Sequence, residues 1–211
     1  MTSSPQPRWF TDTQPGHSQW FIERFRTLEA EGADLLGEAR FADMLAERGS
    51  RILDAGCGAG RMAAALHAAG HQAYGVDVDP ELIAAAESDH PGPTYGVVDL
   101  SELTLADVDG TAMDLVVCAG NVMVFLAPGT ELRVLERLCA VTREGGRVVV
   151  GSRPGTDYPF EQYDADLADL AERGIARVEQ RFSTWHLDPF EEGSDFAVTV
   201  LRRGSAPLDV A

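Results

Sequence analysis

The chain has 211 residues, of which 45% are hydrophobic and 24% are charged, as is typical of a folded globular protein and not of a disordered or fibrous one. Its length is compatible with a single domain. Thirty-four acidic side chains against 17 basic ones give a formal net charge of −17, which disfavours binding to the phosphate backbone of a nucleic acid.

The cysteines indicate a reducing compartment. Cys57, Cys118 and Cys139 are widely spaced and form no Cys-x-x-Cys pair, so neither a disulfide framework nor a zinc site is predicted. Residues 1–7 are polar and lack the apolar core of a signal peptide, and no apolar run is long enough to cross a bilayer. These features predict a soluble, cytoplasmic protein.

The first fifty residues predict an aromatic arm followed by two helices. Trp9 marks the arm, Phe21 and Phe25 recur at helical spacing, and a second helix is predicted over 38–48. We expect these helices to form a lid over a ligand pocket, with Trp20 or Phe21 lying against the ligand.

From residue 51 onward, short apolar segments alternate with helical ones. Strands are predicted at 51–55, 72–76, 94–98, 114–119 and 147–151, and helices at 61–69, 81–88 and 131–141. Strands separated by helices of this length pair in parallel through right-handed crossovers. The pattern therefore predicts a doubly wound α/β fold with helices on both faces of the sheet.

The last sixty residues change character. A helix is predicted over 164–173, and two strand-like segments, 176–187 and 196–202, flank the turn-rich stretch 188–195. Strands joined by so short a link pair antiparallel. We therefore expect one domain over 1–211 with a mostly parallel, seven-stranded sheet that ends in a C-terminal hairpin. Its parts would be an arm and lid (1–50), a ligand-binding core (51–152) and a C-terminal helix and hairpin (153–211).

A glycine-rich loop carries the strongest functional signal. Residues 51–61, RILDAGCGAGR, join an apolar strand to a helix through Gly56, Gly58 and Gly60, which allow positive φ and leave room for a ligand against the backbone. A dinucleotide site has Gly-x-Gly-x-x-Gly, but Arg61 stands where its third glycine belongs. Asp54, two residues before the first glycine, suits a cationic ligand better than an anionic pyrophosphate.

Two further aspartates follow the next two predicted strands. Asp77 ends QAYGVD, and Asp99 follows the strand that begins at Thr94. A carboxylate at the first of these positions can accept both hydroxyl groups of a ribose. Each aspartate taken alone is compatible with helix capping, but three acids at successive strand ends indicate a nucleoside site.

The stretch from Arg51 to Ser152 resembles the class I S-adenosylmethionine-dependent methyltransferases. The resemblance rests on the glycine motif Asp54–Gly60, on Asp77, on Asp99 with Leu100, and more weakly on the segments 118–122 and 144–148. It implies S-adenosylmethionine as the cofactor, the Asp54 and Gly56 region facing its methionine moiety, Asp77 holding the ribose and Asp99 taking the adenine amino group. The implied cofactor-binding residues are Asp54, Ala55, Gly56, Cys57, Gly58, Gly60, Asp77, Val78, Asp99, Leu100, Ala119, Gly120 and Asn121.

Departures from related enzymes narrow the acceptor. Asn121 is not followed by the Pro-Pro-aromatic arrangement that grips a base or glutamine amino group, and there is no Pro-Cys pair for attack on a pyrimidine. Both absences agree with the acidic charge in favouring a small molecule over a nucleic acid. No metal site is expected, because Gly70 separates His67 from His71.

The acceptor side has no signature. His17 and His186 are weak candidates for a general base that removes a proton from a hydroxyl or ammonium acceptor. Two alternatives to a methyltransferase stay open: a nicotinamide-dependent oxidoreductase, and a non-catalytic protein that binds S-adenosylmethionine. Neither the acceptor nor the oligomeric state follows from the sequence.

Overall fold

The computed structural model describes residues 5–208, which form a seven-stranded sheet flanked by helices. The strands are β1 (Arg51–Ala55), β2 (Gln72–Asp77), β3 (Thr94–Val97), β4 (Met113–Cys118), β5 (Thr142–Ser152), β6 (Ala176–Phe182) and β7 (Ala197–Arg203). Their order across the sheet is β3-β2-β1-β4-β5-β7-β6. The pairs among β1 to β5 are parallel, and β7 pairs antiparallel with both β5 and β6.

Seven α-helices accompany the sheet in the described residues. They are α1 (Arg8–Thr11), α2 (His17–Ala30), α3 (Gly37–Leu45), α4 (Arg61–Ala68), α5 (Pro80–Asp89), α6 (Glu131–Ala140) and α7 (Phe160–Glu172). Short 3-10 helices cover Leu100–Glu102, Leu105–Val108 and Val122–Phe125. Within residues 5–208, every helix is too short or too polar to span a membrane.

Alternate residues of the central strands build two cores. On one face, strand residues such as Leu53 and Val116 pack with α6 and α7. On the other face, Ile52 and Leu115 pack with α3 and α4. The alternation follows from the twofold side-chain period of a strand, and it gives the central strands their continuous apolar sequences.

The predicted fold class is confirmed: the sheet is doubly wound, mostly parallel and closed by the antiparallel β6–β7 pair. The predicted strand 176–187 is wrong at its end, because β6 stops at Phe182 and residues 183–187 turn back through a hydrogen bond from Ser183 N to Asp188 O. β5 is longer than predicted, since it already pairs with β4 at Thr142.

Gly60 serves packing between elements. It has a φ of +83°, and a Cβ added there would lie 2.7 Å from both the Ala86 Cβ and the Tyr95 hydroxyl. At the other end of α4, Gly70 has a φ of +92° with no heavy atom within 4 Å of such a Cβ. Both glycines have a positive φ, but only Gly60 has neighbouring atoms that an added Cβ would contact.

This difference predicts unequal costs of substitution. Gly70→Ala should lower the free energy of unfolding by about 1 to 2 kcal/mol for the left-handed backbone alone. Gly60→Ala should lose about 1 to 3 kcal/mol more, because its methyl group clashes with α5 and β3. Urea denaturation of both variants tests this, and equal losses would contradict the packing role of Gly60.

Candidate functional site

A cavity of about 400 Å³ lies at the carboxyl ends of the parallel strands. It opens where the chain reverses its direction across the sheet, between β1 and β4, which is where ligands bind in open α/β folds. Its floor comes from the glycine loop and from the ends of β2, β3 and β4. Its cover comes from α1 and α2.

Most of the predicted cofactor-binding residues line this cavity. The ten that do so are Asp54, Gly56, Cys57, Gly58, Asp77, Val78, Asp99, Leu100, Ala119 and Gly120. The structure does not bring the other three to the cavity wall. Ala55 is fully buried in the core, Gly60 packs against Ala86, and Asn121 accepts a hydrogen bond from the Arg153 N–H at 2.9 Å.

Asp54 is a buried carboxylate that the protein neutralises only in part. Its side chain accepts one hydrogen bond, from the Ala63 N–H to Oδ2 at 3.2 Å, and the residue is 3% exposed. Burial raises the pKa of Asp54 from its ordinary value of 3.8 to about 8, despite the favourable charge of Arg61 nearby. A positively charged ligand group in the cavity would stabilise the ionised form.

Asp77 organises the glycine loop. One of its oxygens accepts the Gly58 N–H at 2.9 Å, and the other accepts the Asp79 N–H at 3.0 Å. Burial raises the pKa of Asp77 to about 6, although these backbone donors favour the ionised form. Asp99 is less buried and accepts the Ser101 N–H at 2.9 Å, which begins the first 3-10 helix.

Two glycines of the loop have no space for a side chain. A Cβ on Gly56 would lie 2.4 Å from a Val122 methyl group, and one on Gly58 would lie 3.2 Å from the Phe21 ring. Bare backbone and three carboxylates therefore face the cavity together. These acceptors match a nucleoside that carries positive charge and offers ribose hydroxyls as donors.

The aromatic cover predicted from the sequence lies over this floor. Trp9, His17, Trp20, Phe21 and Phe25 all line the cavity. His17 stacks on Trp20 with ring centroids 5.2 Å apart and meets the Trp9 ring edge-on at 4.7 Å. The histidine is thus held by rings on two sides.

His186 does not reach the cavity. It lines a separate surface depression with Met44 and Trp185, near the turn that ends β6. The structure thus separates the two candidate bases, since β6 ends at Phe182, five residues before the end of the predicted strand 176–187.

Sequence reasoning missed Asp79, which connects the floor to the cover. Asp79 is 3% exposed, and its Oδ2 accepts hydrogen bonds from the Trp9 indole N–H at 2.7 Å and from the Ser18 hydroxyl. Its Oδ1 caps α5 by accepting the Glu81 N–H. The Asp-Pro pair before a helix was a visible capping signal, but nothing in the sequence pointed to its partners sixty and more residues away.

Comparison with known proteins identifies the family. Residues 52–146 match a family model described as a methyltransferase domain. A TehB-like S-adenosylmethionine-dependent methyltransferase from Corynebacterium glutamicum has 39% sequence identity and a TM-score of 0.81, with 90% of this chain and all of the other covered. The chain belongs to the S-adenosylmethionine-dependent methyltransferases. The family resemblance and the cofactor predicted from the sequence are thereby confirmed.

The curated proteins that match this chain are named for a specific substrate. Two malonyl-[acyl-carrier protein] O-methyltransferases match, one from Pectobacterium atrosepticum at 31% identity over 131 residues and one from Pseudescherichia vulneris at 28% over 186 residues. The matches cover 62% and 83% of this chain. The chain spans 48% of the length of the first relative and 69% of the second.

The buried acid of the methyltransferase should make its stability depend on pH. Since the pKa of Asp54 is higher in the folded protein than in the unfolded chain, its contribution to stability is fully present below about pH 4 and is lost as pH rises through 8. Asp54→Asn cannot ionise, so its thermal midpoint relative to the unchanged protein should rise from pH 5 to about pH 8 and then level off. Asp195→Asn, at an exposed position, is the matched control and should show no such trend. A flat difference for Asp54→Asn would mean that the carboxylate is better solvated than its burial indicates.

Proposed function

We propose that this protein is an enzyme that transfers a methyl group from S-adenosylmethionine to a small, uncharged or cationic acceptor. The observation that carries the proposal is the cavity floor, where a buried and incompletely paired carboxylate, Asp54, adjoins the bare backbone of Gly56 and Gly58. The bound cofactor supplies a methyl group activated by a sulfonium. The protein needs no covalent nucleophile and acts by holding the reactants in line and excluding water.

We propose that different lining residues bind different parts of the cofactor. Asp54 and the backbone of Gly56 would face the charged methionine portion, and Asp77 would accept the ribose hydroxyls. Asp99 would accept the adenine amino group. The support is chemical, since each acid lies at the end of a successive parallel strand, and a cationic nucleoside offers each a donor or a charge.

The charges of the cavity favour an acceptor without negative charge. Its two arginines are already engaged: Arg61 pairs with Glu38 at 3.3 Å, and Arg26 pairs with Asp89 at 2.8 Å. An acceptor carboxylate would have to displace one of these acids or lie near Asp54. The malonyl group in the names of the relatives does not fit this charge distribution, because a malonyl group on a carrier ends in a free carboxylate.

We further propose a small-molecule partner, not a nucleic acid, and a cytoplasmic location. The first rests on the net charge of −17 together with the acidic cavity. The second rests on three buried, free cysteines, which suit a reducing compartment. The whole chain, 1–211, would work as one catalytic unit with the N-terminal helices as its lid.

Ligand binding tests the cofactor site. S-adenosylmethionine and S-adenosylhomocysteine, at a hundred times their dissociation constants, should each stabilise the protein by about 2.7 kcal/mol, whereas NAD should not. Asp77→Asn should weaken both adenosyl ligands by about 1 to 3 kcal/mol, and Asp195→Asn should leave both unchanged. Stabilisation by NAD alone would replace this proposal with the oxidoreductase.

Catalysis is tested with an acceptor panel of neutral hydroxyl, thiol and amine compounds and of carboxylic acids. With an acceptor in hand, His17→Gln should lower kcat by about a hundredfold if His17 takes the acceptor proton, without changing cofactor affinity. His186→Gln, outside the cavity, should change neither quantity. Binding without methylation of any compound would favour the non-catalytic alternative, and preference for carboxylic acids would refute the charge argument.

A further inference from the structure

Asp79 is a buried acid in the turn between β2 and α5. It does not line the cavity. It follows Asp77 by two residues, and one of its oxygens caps α5 through the Glu81 N–H at 2.8 Å. A cap needs only one oxygen. The second oxygen is therefore free for another role.

That second oxygen, Oδ2, binds two donors from the N-terminal segment, which we define as residues 5–30. The Trp9 indole N–H donates to it from α1 at 2.7 Å, and the Ser18 hydroxyl donates to it from the first turn of α2. Both are hydrogen bonds to a carboxylate that is 3% exposed. Such bonds are stronger than bonds between neutral groups.

The Trp9 ring also contacts three other aromatic rings at the cavity. Its edge contacts join it to His17 at 4.7 Å, Phe21 at 5.7 Å and Phe125 at 5.5 Å between ring centroids. His17 and Phe21 belong to α2, and Phe125 belongs to the 3-10 helix after β4. Releasing Trp9 would therefore loosen rings from two sides of the cavity.

Few other residues of the N-terminal segment are buried. α1 has no buried residue, α2 buries only Ile22, and Trp20 is 52% exposed. The Arg26–Asp89 ion pair is partly exposed, whereas Arg8, next to Trp9, pairs with Glu131 at 3.3 Å and holds the start of α1 to α6. Segments with so few buried contacts open at low cost in free energy.

We propose that Asp79 is a positioning residue that holds the N-terminal segment closed over the cofactor and thereby sets the rate at which the cofactor product leaves. The Asp79 N–H also donates to Asp77 at 3.0 Å. The same turn therefore contacts the cavity floor through Asp77 and the N-terminal segment through Asp79. The inference rests on the proposed function, since it takes an adenosyl compound as the occupant.

Three variants separate the fastening from the cap. Asp79→Asn can keep its oxygen on the Glu81 N–H, but it then turns an amide nitrogen toward the Trp9 N–H. Trp9→Phe keeps a ring and removes the indole donor, and Ser18→Ala removes the hydroxyl. Ser194→Ala is the matched control, because Ser194 makes a local hydrogen bond in the β6–β7 loop, far from this contact.

The measurement is the release of tritiated S-adenosylhomocysteine, chased with unlabelled ligand. Asp79→Asn and Trp9→Phe should each release it about tenfold faster, as expected for a lost hydrogen bond to a charged group. The double variant should release it less than the hundredfold faster that adding the two single effects would give, because both variants remove the contact between Trp9 and Asp79. Hydrogen exchange of the ligand-free protein should quicken at the amides of α1 and α2 in both variants and stay unchanged in β1 and β4.

The outcomes distinguish this inference from the proposed function. If the unchanged protein bound neither adenosyl compound, the proposed function would fail, and exchange in the ligand-free protein would still test the fastening. Binding with unchanged release and exchange in Trp9→Phe and Ser18→Ala would overturn the inference alone. Additive effects in the double variant would also overturn it, and the tryptophan and serine variants suffice if Asp79→Asn does not fold.

Discussion

The Asp54 carboxylate lies at the end of β1, removed from water, with a single backbone N–H as its donor. A buried acid in this state costs the folded protein free energy, which explains why its pKa is raised to about 8. Such a cost is typical of a binding site for a group of opposite charge, because the bound ligand stabilises the ionised acid. The glycine loop beside it exposes bare backbone, since any Cβ on Gly56 would collide with Val122.

The turn from β2 into α5 links the parts of the site that the sequence keeps apart. Asp77 accepts the Gly58 N–H and so holds the loop that follows β1, while Asp79 accepts donors from the N-terminal segment. Floor and cover therefore share one short stretch of backbone. A displacement of either acid would also displace the other, because a hydrogen bond joins the Asp79 N–H to Asp77.

The two sides of the cavity differ in how strongly the fold constrains them. The side proposed for the cofactor is built from strand ends, whose positions the sheet determines, and the family relationship extends along this region. The side proposed for the acceptor is built from α1, α2 and the segment after β4, which carry rings such as Trp20 and Phe125. Segments outside the sheet vary with the substrate in α/β enzymes, so the family alone does not identify the acceptor.

The sequence by itself determined the doubly wound sheet, the C-terminal hairpin and the three acids at strand ends, because these depend on local periodicity and on short motifs. Only the tertiary structure decided what depends on contacts distant in the chain. It ended β6 at Phe182 and so kept His186 from the cavity, it gave Gly60 a packing role against Ala86, and it joined Asp79 to Trp9 across seventy residues. Such contacts leave no periodic trace, since each partner satisfies its local pattern equally well without the other.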